Sequence, residues 1–376
     1  MLARLFAVLS SIAVAVILCE LFLRLVPSLQ PQGGPKEFVF CNDAGVHVSH
    51  PVVGYTEKPF NTYFERVHPT APWTLHMQNE QGFRDLYNRG DEHVFILGDS
   101  MLRGTLGSNH QTIPYLLDLW NQDRSFHSLG TGGYGTVESL LAYREFAGDL
   151  PHRLVILQYF LGNDITDNLK TAVLEGDRIV FKIRLKKPPP SGWAGFRDKV
   201  VRHSKLLPLI HNLVRSRRSA PDIDQGLEIT RRLIEELARE IRGRGADLLI
   251  VAVPNWNESM GHDDGLAPDR QRQMLQDFSD NTDGIFFIDT SSELDDARTS
   301  EAYGIVDKHL NTYGYYLVAK EIHEWIADHL GGVAANPRPT VPPFEAGDPI
   351  VPDCSLIPEM RKRLLNPVPV DGTIAG

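Results

Sequence analysis

The sequence predicts an α/β fold in which a parallel five-stranded sheet lies between layers of helices. Short apolar runs that are typical of strands alternate with amphipathic helical patterns from about residue 93 to residue 330. Strands alternating with helices favour parallel pairing, because each helix returns the chain to the same end of the sheet. The length of 376 residues allows one large domain with appendages or two small domains.

Nine segments carry this alternation, and we take them in chain order. The predicted strands cover residues 93–97, 125–129, 154–160, 247–253 and 285–288. The predicted helices cover residues 112–120, 136–146, 229–241 and 313–330. The helix over 229–241 is the clearest, because Ile229, Leu233, Leu237 and Ile241 repeat at helical spacing along one stripe.

The N-terminal residues 1–27 predict a transmembrane anchor or an export signal. Leu5 to Val26 is about long enough to cross a bilayer, and its two charges lie near its far end. A cleaved secretory signal is the alternative, although no convincing A-x-A cleavage site is present. Either interpretation predicts export, and in an exported protein Cys41 and Cys354 could form a disulfide that ties the C-terminal tail to the N-terminal segment.

The remaining organisation follows from composition. We expect an irregular lead-in over residues 28–90, the α/β domain over 91–330 and a proline-rich tail over 331–376. Residues 184–218 hold ten Lys or Arg and one acid, Asp198. This basic insertion is open to three interpretations: a solvated helical segment, a face for anionic lipid headgroups, or a lid over the edge of the sheet.

The charge and the cysteines exclude two classes of partner. A formal net charge of −10 argues against nucleic acid as the main partner. The three cysteines show no spacing with one another or with histidine that is typical of a zinc site, so we expect no structural zinc.

Two short motifs carry the chemistry. Gly98-Asp99-Ser100 directly follows the first predicted strand, and open α/β sheets bind ligands at that edge. Asp307-Lys308-His309 precedes the last helix. Serine, aspartate and histidine are the three side chains of nucleophilic acyl transfer: the serine attacks, the histidine moves its proton and the aspartate orients the ring. Acyl transfer by these side chains requires no metal, and we expect no cofactor. The alternative is that Ser100 only caps a helix and His309 is an ordinary loop residue.

Together with two further blocks, these motifs resemble the SGNH, or GDSL, hydrolase family over about residues 93–328. Gly133 and Asn163-Asp164 match the second and third blocks of that family. The lead-in pattern Asn79-x-x-Gly82-Phe83-Arg84 is similar to membrane-anchored bacterial members. The chain departs from the family at Met101, Ser128 and Gly162, where leucine, asparagine and a glycine one position earlier are usual.

The resemblance implies a fold and a set of roles. The fold would be the SGNH hydrolase fold, a flavodoxin-like three-layer α/β/α sandwich. The oxyanion hole would consist of the backbone N–H groups of Ser100 and Gly133 and the side-chain amide of Asn163. Asp99 and Asp164 would support the turns rather than take part in catalysis.

The expected function is that of a serine esterase that removes acyl groups, above all O-acetyl, from an envelope carbohydrate or lipid. An O-acyltransferase that modifies a cell-envelope polysaccharide, with a membrane protein as acyl donor, is the first alternative, and a non-catalytic carbohydrate-binding protein is the second. We expect a single-pass membrane protein with its catalytic domain on the periplasmic or extracellular side.

Overall fold

The computed structural model describes residues 2–25, 36–85, 90–148, 150–176, 178–183, 185, 204, 206–207, 221–294, 296–305, 307–331 and 352–365. The strands are β1 (Glu37–Phe40), β2 (His47–His50), β3 (Gly54–Glu57), β4 (Thr62–Arg66), β5 (Thr74–Met77), β6 (Glu92–Leu97), β7 (Arg124–Ser128), β8 (His152–Phe160), β9 (Ala172–Glu175), β10 (Arg178–Phe181), β11 (Asp247–Val253) and β12 (Ile285–Asp289). The helices are α1 (Leu2–Leu25), α2 (Ser100–Arg103), α3 (Ile113–Trp120), α4 (Thr136–Phe146), α5 (Asp164–Thr171), α6 (Ile223–Gly243), α7 (Trp256–Ser259), α8 (Pro268–Asp280), α9 (Asp296–Ala302), α10 (Thr312–Leu330) and α11 (Ile357–Leu365).

A five-stranded sheet forms the centre, in the order β12-β11-β8-β6-β7. Every neighbouring pair in it is parallel. Counted along the chain, its strands follow the order 2-1-3-4-5, which is the flavodoxin-like arrangement. The predicted parallel five-stranded sheet is therefore confirmed, and its topological switch point lies between β6 and β8.

The two faces of the sheet bury separate sets of side chains, because alternate residues of a strand point to opposite faces. On β6, Phe95 and Leu97 join a cluster with α4 and α6, whereas Val94 and Ile96 join a cluster with α3 and α10. These four strand residues are at most 1% exposed. The predicted helical layers on both faces are confirmed.

The lead-in is more ordered than predicted. Strands β1, β4 and β5 form one antiparallel sheet, and β2 pairs with β3 in a second. Phe64, Leu75 and Met77 make a small buried cluster of their own. The expectation of an irregular lead-in is wrong because these strands are too short, at four or five residues each, to show a clear period in the sequence.

The N-terminal helix α1 covers most of the predicted anchor. In the part of the chain that is described, no helix combines the length and apolarity that a bilayer crossing requires. The carboxylate of Glu20 on α1 accepts hydrogen bonds from the Ser204 hydroxyl and the Leu206 backbone N–H, at 2.9 and 3.0 Å. Most of the basic insertion over 184–218 lies outside the described residues, so its three interpretations stay predictions.

The C-terminal tail is held to the lead-in. Cys41 and Cys354 form a disulfide across 313 residues of chain. Around it, Ile357 and Met360 of α11 pack against the small cluster of the lead-in. Cys354, Ile357 and Met360 thus pack on the cluster of the lead-in, and the expectation of a tail without a core of its own stays a prediction.

Removing the disulfide should lower the stability of the folded protein. For the Cys41→Ser/Cys354→Ser variant we expect a free energy of unfolding about 2–4 kcal/mol below that of the wild type, because the cross-link restricts the unfolded chain. Guanidinium unfolding under oxidising conditions measures this difference. Cys19 is free and exposed, so Cys19→Ser serves as the control. Dithiothreitol should lower the unfolding midpoint of the wild type and of this control, but it should not change the midpoint of the double variant. Equal midpoints for wild type and double variant would contradict the prediction.

Candidate active site

Ser100 stands at the carboxyl edge of the sheet, where β6 gives way to α2. Asp99 caps this short helix, and its carboxylate accepts a hydrogen bond from the Met101 backbone N–H at 2.8 Å. Ser100 is the first residue of the helix and is 9% exposed. The turn thus fixes the backbone at Ser100 and places its hydroxyl in the crevice expected for an open α/β sheet.

The structure brings His309 and Asp307 to this serine across 209 residues of chain. Nε2 of His309 lies 2.8 Å from Oγ of Ser100, and Nδ1 of His309 is in hydrogen-bond contact with Oδ1 of Asp307. Lys308, between them, has a left-handed backbone with φ of 60°. Its ammonium lies 4.2 Å from the centre of the Trp256 ring and 3.1 Å from Oδ1 of Asn257, which anchors the turn to α7.

The electrostatics of Asp307 suit the orientation of a proton-accepting imidazole. Burial of this carboxyl acts to raise its pKa, but the hydrogen bond from His309, the charge of that ring and the charge of Lys36 outweigh burial, so the pKa lies below its ordinary value. An ionised Asp307 accepts the Nδ1–H of His309 and leaves Nε2 to accept the hydroxyl proton of Ser100. The imidazole side chain is 25% exposed, which leaves it accessible from solvent.

A glycine turn lies beside Ser100. A Cβ atom added to Gly132 would stand 4.0 Å from the Cβ of Ser100, and Gly133 has a left-handed φ of 86°. A Cβ on Gly133 would also come within 2.9 Å of the Tyr55 hydroxyl. The left-handed backbone of Gly133 and the short distance from an added Cβ to the Tyr55 hydroxyl therefore both favour glycine at this position. The loop borders the nucleophile, where the resemblance expects a backbone oxyanion donor.

Asn163 follows β8, the neighbour of β6 in the sheet, and occupies the N-cap position of α5 without a capping hydrogen bond from its side chain. Its side-chain Oδ1 is buried and has no hydrogen-bond partner among the described residues. Among the described residues, no hydrogen bond to this oxygen therefore fixes the orientation of the Asn163 amide. Its place at the switch point, next to the strand that carries Ser100, suits the third expected oxyanion donor.

Asp99 and Asp164 support these two turns. Oδ2 of Asp164 accepts the Phe160 backbone N–H at 2.9 Å. Burial raises the pKa of Asp99 to about 6 and raises that of Asp164 well above its ordinary value, and the charge of Asp99 raises the pKa of Asp164 further. Both carboxyls are buried and accept hydrogen bonds from backbone N–H groups of the turns. Oδ2 of Asp99 also accepts a longer hydrogen bond, of 3.4 Å, from the Ser100 hydroxyl.

A buried cluster of charges connects the nucleophile helix to the lead-in. Arg103, on α2, contacts the carboxylates of Glu57 and Glu65, and its Nη2 lies 2.7 Å from Glu65 and 2.7 Å from the Tyr63 hydroxyl. Lys36 adds a second ion pair to Glu65 at 2.8 Å. Since buried charges are tolerated only when they are paired, this cluster fixes α2 against β3 and β4.

Arg84 holds the other end of α2. Its guanidinium is buried and donates to the backbone carbonyls of Arg103 at 2.8 Å, Gly104 at 2.6 Å and Gly107 at 2.8 Å. These carbonyls lie at and after the C-terminal end of the nucleophile helix, where helical backbone carbonyls have no partner within the helix. A cation at the C-terminal end of a helix also meets the negative end of its dipole.

The sequence reasoning missed most of these supporting residues. Arg84 belongs to the lead-in pattern that resembled membrane-anchored proteins, so a signal for it was present, but its role was not evident. Glu57, Glu65 and Arg103 have no common spacing that would pair them in advance. In the part of the chain that is described, no group of three or more His, Cys, Asp or Glu residues is placed to hold a metal ion.

No protein-family model and no curated protein matches the chain. Solved structures do match, among them a member of the lipolytic protein G-D-S-L family from Veillonella parvula, with 16% identity, a TM-score of 0.41, and coverage of 62% of this chain and 97% of that one. A lipase/acylhydrolase from Enterococcus faecalis has 14% identity, a TM-score of 0.39 and coverage of 63% and 96%. A family two carbohydrate esterase from Clostridium thermocellum has 12% identity, a TM-score of 0.39 and coverage of 73% of each chain.

The structural neighbours thus include lipolytic G-D-S-L proteins and esterases, the group that the motifs indicated.

The buried cluster predicts a pH-dependent contribution of Glu65 to stability. Burial acts to raise the pKa of Glu65, but Arg103 and Lys36 lower it from 4.5 to about 2. A lowered folded-state pKa contributes stability that is present above pH 4.5 and lost as the pH falls through 2, and this shift corresponds to about 3 kcal/mol. Glu65→Gln should therefore lower the free energy of unfolding by about that amount at pH 7, and the difference from wild type should shrink toward pH 2.

Urea unfolding of both proteins at several pH values between 7 and 2 measures this difference. Glu324→Gln serves as the control, because its carboxylate is half exposed and its contact with Lys320 is long, at 3.4 Å. A difference for Glu65→Gln that stays constant down to pH 2 would show that Glu65 is not held ionised by its partners.

Proposed function

We propose that the protein is a serine esterase of the SGNH type that works through an acyl-serine intermediate. The observation that carries the proposal is the 2.8 Å hydrogen bond between Oγ of Ser100 and Nε2 of His309, with Asp307 on the opposite nitrogen of the ring. Nucleophile, base and orienting carboxylate are thus in reach of one another without any movement of the backbone.

The first half of the reaction forms the acyl-enzyme. The hydroxyl oxygen of Ser100 attacks the ester carbonyl carbon while Nε2 of His309 takes the hydroxyl proton, which leaves an imidazolium beside ionised Asp307. The tetrahedral oxyanion is stabilised by the backbone N–H groups of Ser100 and Gly133 and by the amide of Asn163. When the intermediate collapses, the C–O bond to the alcohol breaks and the leaving alcohol takes the proton from Nε2.

The second half releases the acyl group. A water molecule gives a proton to Nε2 of His309 and attacks the acyl carbon, and the proton then passes to Oγ of Ser100 as the acid leaves. A sugar hydroxyl in place of water would give transfer instead of hydrolysis by the same steps. The substrate class we propose is an O-acetyl or similar ester on an envelope carbohydrate or lipid.

We also propose a cellular location for the catalytic domain. The Cys41–Cys354 disulfide supports a compartment outside the cytoplasm, because such bonds persist in oxidising surroundings. The apolar composition of residues 5–26 supports the same location, whether the segment is cleaved or retained. The catalytic domain would then face the periplasm or the cell exterior, where acylated envelope carbohydrates and lipids occur.

The central test uses the full chain with an activated acetyl ester. We expect rapid release of the alcohol by the wild type and a loss of about 10⁴-fold or more in kcat for both Ser100→Ala and His309→Ala. Ser125→Ala is the matched control, since this serine is buried near the amino end of β7, at the edge of the sheet opposite Ser100, and its loss should leave kcat unchanged. A brief incubation should add one acetyl group to the wild type, detected by intact-protein mass, and none to Ser100→Ala.

Two outcomes decide between the alternatives. Equal inertness of the wild type and both site variants would favour the carbohydrate-binding interpretation over an enzyme. If saccharides added to the reaction become acetylated while free acetate falls, transfer rather than hydrolysis is the activity.

A further inference from the structure

We infer that Tyr55 is a positioning residue for the oxyanion hole, an inference that rests on the proposed esterase function. Tyr55 lies on β3 in the lead-in and is 5% exposed. Its hydroxyl donates a hydrogen bond of 2.8 Å to the backbone carbonyl of Gly132. That carbonyl and the N–H of Gly133 belong to one peptide unit, so Tyr55 holds the opposite end of the group that donates to the oxyanion.

The bond acts on the donor in two ways. A peptide unit is planar, so fixing the direction of its C=O also fixes the direction of its N–H. Peptide resonance transmits polarisation as well, and a hydrogen bond to the oxygen strengthens the donor at the nitrogen by about 10–30%. Both effects improve the stabilisation of an oxyanion without any contact between Tyr55 and substrate.

The glycine turn needs such an external constraint. Gly132 and Gly133 have no side chains that could lock the turn, and Gly133 is exposed with a left-handed φ of 86°. Glycine backbones rotate more freely than those of other residues. The backbone N–H of Tyr134 closes the turn by donating to the Thr131 carbonyl at 3.2 Å, but this bond does not engage the central Gly132–Gly133 peptide. Tyr55 supplies a restraint on that central peptide.

Tyr55 itself is held firmly. The hydroxyl of Tyr134, the residue after Gly133, donates to the backbone carbonyl of Tyr55 at 2.5 Å, and the two rings meet edge to face with centroids 5.4 Å apart. His47 packs edge to face against the same ring at 5.4 Å. The Tyr55 ring thus has aromatic contacts independent of its hydroxyl, and Tyr55→Phe removes the hydroxyl while the packing of the ring remains.

The decisive variant is Tyr55→Phe in the full chain. Complete loss of one oxyanion donor costs about 10²–10³-fold in kcat, and a donor that is present but unrestrained should cost less, about tenfold. We expect this loss in kcat with KM unchanged, because the oxyanion exists only after attack on the carbonyl. If Tyr55 had only a structural role, Tyr55→Phe would lower the free energy of unfolding but keep the kcat of the wild type.

Tyr143→Phe is the matched control. Its hydroxyl is also buried and hydrogen-bonded, at 2.9 Å to His152, but it lies near the amino end of β8, away from Ser100. We expect the control to lose stability comparable to Tyr55→Phe while its kcat stays at the wild-type level. Urea unfolding of both variants provides the comparison.

A second readout does not depend on activity. In protein labelled with ¹⁵N-glycine, the amide proton signal of Gly133 should move upfield in Tyr55→Phe, because its peptide unit loses the polarising bond, and should not move in Tyr143→Phe. If Tyr55→Phe changes neither the Gly133 signal nor kcat, the inference about Tyr55 is wrong. The proposed esterase function would still stand in that case, provided that the wild type is active and Ser100→Ala is not. If the wild type itself released no alcohol, the proposed function would fall and the inference with it.

Discussion

Parallel pairing of β6 with both of its neighbours is the constraint that assembles the site. Because β7, β6 and β8 run in one direction, the turns after them open at the same edge of the sheet. Ser100 follows β6, the glycine turn follows β7 and Asn163 follows β8. Reversing any of these strands would carry its turn to the far edge, and the nucleophile would lose its partners.

The assembly of the site also requires the lead-in, whose buried polar groups contact the nucleophile helix and the glycine turn. Arg103 on the nucleophile helix has its carboxylate partners on β3 and β4, and Tyr55 on β3 reaches the glycine turn. An arginine left in the interior without those carboxylates would be strongly unfavourable. The α/β domain and the lead-in therefore share buried polar contacts, although the sequence divides them by composition.

The sequence predicted what local patterns encode. Apolar runs such as Asp247–Val253 predict strands. Ser100 and His309 belong to short motifs whose order along the chain indicates nucleophilic acyl transfer. The ion pairs of Arg103 with Glu57 and Glu65 could not be predicted, since they depend on which strands pack together and no periodicity links them. Cys41 and Cys354 could be suggested as partners, but only the fold shows that α11 returns to the lead-in. The bond from Tyr55 to Gly132 belongs to the same class of long-range contact.

The disulfide also orders the events of folding. Cys354 follows Cys41 by 313 residues, so the native bond cannot form until almost the whole chain has been made. Two cysteines can be bridged only when the chain already holds them close together. The packing of α11 on the lead-in therefore has to bring the two thiols together before the bond can fix them.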